Sequence, residues 1–341
     1  MTKAAELAKM GEVLTNSQIG RKNIIINGAM QVAQRSTSET GKGDADGYFT
    51  LDRFKMLHGA TSAGRYTMSQ STVTDLEGFS NALKIDCTTA DTSIAAGEAL
   101  LFQHNIEGFN AQQLKATSTT TRAMTLSFYA KSNASRAIST ELRFVNGTNR
   151  QASKLHTIGT SWARYTFTVP AASSTQIDND NSVEMQVNFW LHAGSTYTSG
   201  TLSATFEATN NANRAAGIGS IFASTDNTLE ITGVQLEVAE QATPFEHRSF
   251  GEELALCQRY FRNVDTMNPT YLFTVRSADD IRRLSHVFST MRSAPTCTIG
   301  ATQEGTVSAQ GTGKDSVQFT VTGQSTSDAS AIHDYTLDSE L

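Results

Sequence analysis

The chain has 341 residues, of which 38% are hydrophobic and 18% charged, and a formal charge of −6; at roughly 150 residues per domain it has room for about two domains. Its many Ser, Thr, Asn and Gln residues favour a β-rich fold with a hydroxyl- and amide-covered surface, and the acidic balance lacks the basic footprint that neutralises phosphates, which argues against nucleic acid as a partner. Cys87, Cys257 and Cys297 form no CxxC pair and suggest neither a disulfide framework nor a zinc site, while no apolar run reaches transmembrane length, so membrane insertion is not expected.

The N-terminal MTKAAELAKMGEVL places Leu7, Met10 and Leu14 on one helical stripe. A helix of about three turns is unstable alone, so residues 1–21 read as an attachment or oligomerisation segment, or as a helix packed back on its own domain. It lacks the apolar core of a signal peptide, which points to synthesis in a cytoplasm. In GDADGYFTLD, Asp44, Asp46 and Gly47 supply half of a calcium-loop pattern without the late glutamate, and a solvated turn is the competing reading. Calcium is the one cofactor the sequence suggests.

Alternating segments then recur. LLFQHNIEG puts Gln103 and Asn105 on an outer face, and MTLSFYAKS turns Met124, Leu126, Phe128 and Ala130 inward with Tyr129 outward. ELRFVNG, ARYTFTVPA and VEMQVNFWLHAG repeat the pattern, the last with Val187, Phe189 and Leu191 inward. Such half-buried antiparallel strands, separated by Gly- and Asn-rich turns, specify a β-sandwich or jelly roll. In LEITGVQLEV, Leu229 and Ile231 fall on one face and Val234, Leu236 and Val238 on the other, with Gly233 marking a bulge.

Pro244 and a capping box formed by Ser249 and Glu252 predict a helix at a domain junction, its buried stripe made by Phe250, Leu254, Cys257 and Phe261 and widened by Leu256 and Tyr260. The segments YLFTVRS, RRLSHVFSTM, PTCTIGAT, SVQFTVTG and AIHDYTLDSEL follow as strands. The expected organisation is all-β: a jelly-roll β-sandwich over residues 22–248, then a junction helix and a smaller C-terminal β-domain over 249–341.

The sharpest candidate site lies in VNFWLHAG. With Val187, Phe189 and Leu191 facing the core, Asn188, Trp190 and His192 face outward, and a tryptophan flanked by hydrogen-bonding groups suits stacking on a sugar ring. Tyr129, Gln103 and Asn105 join it as candidate glycan contacts. The competing reading is that Trp190 packs beneath a loop, the second domain or a neighbouring subunit. Asp178 and Asp180 in IDNDNSVE are a second weak calcium pair or a turn. No nucleophile elbow, HExxH or phosphate loop is found, and Glu98 with Glu107 is an example of a carboxylate pair that would need the right separation to flank a glycosidic bond. The chain is therefore read as a binding protein without catalytic residues.

Three segments, NIIINGAMQVAQRS with GYFTLDRF, the strands SFYAKS and YTFTVPA, and ITGVQLEVAEQATPFEHRSFGEELALCQRYF, resemble bacteriophage tail fibre and appendage proteins with a carbohydrate-binding-module-like jelly roll. The resemblance runs from about Asn23 to the C-terminal AIHDYTLDSEL. It implies a virion protein, a homotrimer associated with other virion proteins, that attaches to host surface polysaccharide. A glycan-cleaving appendage and a capsid fibre or adaptor without host contact are the alternatives. The matching motifs are structural and carry over no sugar-binding residue.

Overall fold

A computed structural model describes residues 21–60, 62–265, 271–274, 281–300, 306–322, 329–332 and 334–341. The helix expected near the N-terminus lies in residues 1–20, outside the described residues. Two compact units divide the chain, Met1–Phe250 and Gly251–Leu341. Among the described residues, no helix is long and apolar enough to cross a membrane.

In the first unit the strands are β1 (Ser38–Lys42), β2 (Phe54–His58), β3 (Arg65–Thr72), β4 (Asn81–Thr89), β5 (Ala99–Glu107) and β6 (Met124–Ser132). They continue with β7 (Arg136–Phe144), β8 (Arg150–Ile158), β9 (Ala163–Val169), β10 (Val183–Ala193), β11 (Glu207–Ala208) and β12 (Thr228–Glu237). Two six-stranded sheets result, ordered β1-β3-β4-β12-β6-β9 and β11-β8-β7-β10-β5-β2, and their named pairs are antiparallel. They pack face to face as the jelly-roll sandwich that the alternation specifies. Leu126 and Phe128 of the first sheet and Phe102, Leu142, Val187, Phe189 and Leu191 of the second share one apolar core, and the Phe128 ring meets Phe189 edge-on at 5.0 Å.

β12 corrects one expectation. Leu229, Ile231, Val234 and Leu236 all enter the core, because the register against β6 slips between Thr232 and Gln235. The bulge inserts one residue and so returns the second half of the strand to the face it would otherwise leave. Gly233 makes this turn at φ +61°, and a Cβ there would lie 2.7 Å from Phe79 Cζ and 2.8 Å from Tyr129 Cδ2.

The bulge receives the N-terminal NIIINGAMQVAQRS segment. Gly28 accepts the Val234 N–H at 2.9 Å, and Asn23 Nδ2 donates to the Val234 carbonyl at 3.1 Å. Asn27, at φ +62°, donates to the carbonyls of Val32 and Asp52 and accepts the Val32 N–H. From GYFTLDRF, the buried Arg53 donates to the Asn105 carbonyl at 2.7 Å. These motifs are thus a plug whose polar side chains satisfy backbone groups that no strand pairs.

Two helical turns, α1 (Gly108–Ala111) and α2 (Ser195–Thr198), lie in the first unit, and α3 (Phe250–Gln258) starts directly after Ser249, where the capping box places it. Its expected stripe is only partly right. Glu253, Cys257, Tyr260 and Phe261 are buried, whereas Phe250 is 57% exposed. The helix stops at Gln258 and Phe261 opens a strand, because pairing with Asp338 takes over its backbone.

The second unit holds β13 (Phe261–Asp265), β14 (Tyr271–Thr274), β15 (Ile281–Val287), β16 (Thr296–Ile299), β17 (Thr306–Thr312), β18 (Ser316–Thr322), β19 (Ala329–Ile332) and β20 (Asp334–Asp338). They form the sheets β13-β20-β16, β14-β19 and β15-β18-β17. Met291, Val317, Phe319, Val321, Tyr335 and Leu337 make its core. FRNVD and TVSAQGT pair as strands beyond the five segments expected.

Candidate functional site

The second sheet of the sandwich turns an unusually polar face away from the core. Strand register sets three rows across it: Asn105, Gln186, Arg143 and Gln151; Gln103, Asn188, Glu141 and Ser153; Leu101, Trp190, Ser139 and Leu155. Side chains alternate along each strand, so every residue in these rows is the neighbour of a core residue and points the opposite way.

The expected outward direction of Asn188 and Trp190 is therefore correct, but that of His192 is not, because a register shift after Trp190 sets it opposite the core residue Leu100. None of the three is exposed, and for Trp190 the competing reading, packing beneath a loop, holds. Trp190 is 1% exposed, and Asn188, His192, Gln103 and Asn105 are also buried. The cover is supplied by the chain itself. Residues 194–219 run back over this face, and Trp190 packs with Ala99, Leu101 and Ala215, flanked by Leu57, Tyr197 and Ile218. The segment is tied down by Ser139 Oγ, which donates to the Arg214 carbonyl at 2.9 Å, and by Gly219 N, which donates to the Ala137 carbonyl at 2.9 Å.

Glu141 organises the polar centre. Arg214 grips it in a fork, Nε to Oε1 at 2.8 Å and Nη2 to Oε2 at 3.0 Å. Trp190 Nε1 and Asn188 Nδ2 donate to Oε2 at 3.0 and 2.9 Å, and Gln103 Nε2 donates to Asn188 Oδ1 at 2.9 Å. The Arg214 guanidinium lies 4.7 Å from the Trp190 ring centroid. With four donors on a wholly buried carboxylate, this network is complete within the protein itself.

Beside it opens a pocket of about 180 Å³, lined by Leu57, His58, Gln103, Arg143, Gln186, Trp190, Tyr197 and Arg214 among others. Strands form its floor and the 194–219 segment forms a wall. Gln186 Nε2 donates to Asn105 Oδ1 at 3.3 Å, and Arg143 Nη1 donates to Gln186 Oε1 at 3.2 Å. Gln186, Glu141 and Arg143 were readable from strand alternation; Tyr197 and Arg214 come from an irregular segment with no period to read.

The remaining candidates lie elsewhere. Tyr129 faces outward from the other sheet, 5.2 Å from the Phe79 ring, so it does not share a face with Trp190. His192 bridges Ser220 Oγ at 2.8 Å and Glu98 Oε2 at 3.1 Å and meets the Phe222 ring edge-on; burial lowers its pKa despite the carboxylate. Glu98 and Glu107 stand at opposite ends of β5, about 30 Å apart at ~3.3 Å per residue, too far to flank one glycosidic bond.

Asp44 and Asp46 are exposed, and Asp46 Oδ1 accepts the His58 N–H at 2.7 Å. Asp180 Oδ1 accepts the Ser182 N–H, and Asp178 accepts from Asn146 and Gln176. Both pairs build turns. Among the described residues no group of three or more His, Cys, Asp or Glu side chains is arranged to hold a metal ion.

Trp162, which the alternation does not single out, borders a second opening of about 440 Å³ with Asp75, Lys131 and Glu230. Its charges satisfy one another. Asp75 accepts from Trp162 Nε1 at 2.8 Å and from Lys131 at 3.1 Å, and Lys131 also approaches Glu230 at 3.8 Å.

No family model and no curated protein matches the chain. Among solved structures it is similar to the enzymatically active domain of Bacteriophage CBA120 tailspike protein 4, at 13% identity and TM-score 0.32, over 63% of this chain and 21% of that one. It is also similar to a structure titled CBM4 structure and function, at 14% identity and TM-score 0.31, over 62% and 97% of the two chains. A third is the N-terminal cellulose-binding domain of Cellulomonas fimi β-1,4-glucanase C, at 14% identity and TM-score 0.30, over 55% and 90%.

Proposed function

We propose that the chain is a structural, glycan-binding protein of a bacteriophage particle, a tail fibre or related appendage whose jelly roll attaches to host surface polysaccharide. The observation that carries the binding reading is the pocket on the outward face of the second sheet. The half-buried amide, guanidinium and phenol groups of Gln186, Arg143 and Tyr197 converge there over the buried Trp190 and Gln103, with Tyr197 supplying the accessible aromatic surface that a sugar ring requires beside its hydrogen-bonding partners. At about 180 Å³ the pocket is smaller than the roughly 300–1,000 Å³ of drug-sized sites and suits one ring of a longer chain.

The virion assignment rests on the sequence resemblance of the N-terminal plug, the central strands and the junction segment. In this reading the protein is made in the host cytoplasm, assembles as a homotrimer with other virion proteins, and works by binding rather than cleavage. The only carboxylate of the pocket's polar centre, Glu141, already holds four donors and is in no position to act as an acid or base. One shallow pocket binds weakly, and adhesion comes from several copies acting together.

The experiment is adhesion to host cells and binding to a glycan array by the wild type, Tyr197→Ala and Gln186→Ala, with light scattering on the same samples. The expected result is a mass of three chains throughout and at least about tenfold weaker glycan binding in both variants. Unchanged binding in both would move the receptor site off this face. Release of reducing ends from host polysaccharide would establish the glycan-cleaving alternative, and absence of any host binding would favour a capsid fibre or adaptor.

A further inference from the structure

Arg143 carries a charge that no carboxylate of the described residues pairs with directly. It is half-buried, and its Nε is buried without a hydrogen-bond partner. Its hydrogen bond is the 3.2 Å contact from Nη1 to the neutral Gln186 amide. The carboxylate nearest along its own strand face, Glu141, is occupied by Arg214, Trp190 and Asn188. Its row neighbour Gln151 directs its amide nitrogen to Glu207 and Asn210, and the Gln151 oxygen could at best add a neutral contact.

The other charged groups around the pocket are already matched. Arg214 pairs with Glu141, and His58 stands 3.6 Å from Asp46, with burial lowering the His58 pKa. Among the described residues, Arg143 is thus the pocket-lining cation without a carboxylate within 4.0 Å. Partial burial disfavours its charge and the neighbouring Arg214 adds to the effect, while Glu141 opposes both. A half-buried guanidinium without a direct carboxylate partner is costly to keep, and its planar fork matches a carboxylate better than any neutral hydroxyl.

Building on the glycan reading above, we propose that this pocket selects acidic glycans, with the carboxylate of a uronic acid or similar acidic sugar docking on Arg143 while its ring lies beside Trp190 and Tyr197. Gln186, now bonded to Arg143, would turn its amide to a sugar hydroxyl. No covalent step is involved; the pocket exchanges water around the guanidinium for a matched anion.

The test is a panel of uronic-acid-containing oligosaccharides and the same oligosaccharides after carboxyl reduction, titrated into the full chain by calorimetry at low and high salt. The acidic forms should bind at least about tenfold more tightly, with the preference shrinking as salt rises. Arg143→Gln should bring the two forms to within about twofold of each other with the thermal midpoint retained, and Arg143→Lys should recover only part of the preference. Equal binding of acidic and reduced forms by the wild type, or a preference that survives in Arg143→Gln, overturns the proposal while leaving glycan binding intact. Binding of neither form removes both the acid selectivity and the glycan reading of this pocket. If Arg143→Gln does not fold, the wild-type comparison and its salt dependence decide alone.

Discussion

Trp190 shows how much one residue's surroundings change what its type and position suggest. Its ring touches Ala99, Leu101 and Ala215, and its N–H completes the set of donors on Glu141. Trp190→Ala should therefore cost about 3–5 kcal/mol through the cavity left behind. Trp190→Phe, which retains most of the packing but removes the N–H, should cost about 1–3 kcal/mol. Chemical denaturation of both variants checks this, and an unchanged midpoint in Trp190→Ala would mean that the covering segment is not held by this side chain. The alternation in VNFWLHAG was enough to say which way the ring points. It was silent about its cover, because residues 194–219 combine short turns with irregular chain and carry no period that links Arg214 or Tyr197 to the sheet. Gln103 and Asn105 tell the same story: their direction was legible, their enclosure was not.

At the scale of an element, β12 is the instructive case. A strict period of two splits Leu229 and Ile231 from Val234 and Leu236, yet all four face the core, since the bulge at Gly233 resets the phase. The glycine in the pattern announced the bulge; what it could not announce was the Gly28 loop seated against Val234, a contact between segments some two hundred residues apart. Gly233→Ala should destabilise by about 1–3 kcal/mol, combining a left-handed backbone with collision against Phe79 and Tyr129. Thermal unfolding is the check, and a neutral result would show that the loop and rings yield freely. α3 makes the complementary point. Its start was legible because capping chemistry is local, but its end was set by a partner strand more than seventy residues away.

For the molecule as a whole, the jelly roll was legible because nearly every strand of the first unit keeps one face on a single core. Buried histidines add a pH dependence to that core. His104 and His156 are buried, and desolvation pushes His104 well below its ordinary value and His156 down to about 4. A lowered histidine pKa favours the neutral form in the folded state, so its contribution is present above the unfolded value near 6.5 and is lost as pH falls from there toward the folded value. For His156 alone the loss at pH 5 is about 2 kcal/mol. The thermal midpoint should drop between pH 7 and pH 5, and His156→Gln should drop less; equal slopes would show that this imidazole is solvated in the folded protein.

The division of labour at the pocket has an evolutionary reading. Its floor belongs to strands whose opposite sides are the core, so those positions cannot drift without risking the fold. Its wall is a single excursion between β10 and β12 that closes one end of the site and contributes Tyr197 and Arg214. Exchange of that excursion for one of different length or composition would reshape the pocket while the sheet beneath stays as it is, provided Glu141 and Trp190 are given substitute partners. On the binding reading proposed above, a chain arranged this way could change the surface it grips in one recombination event, without first having to learn to fold again.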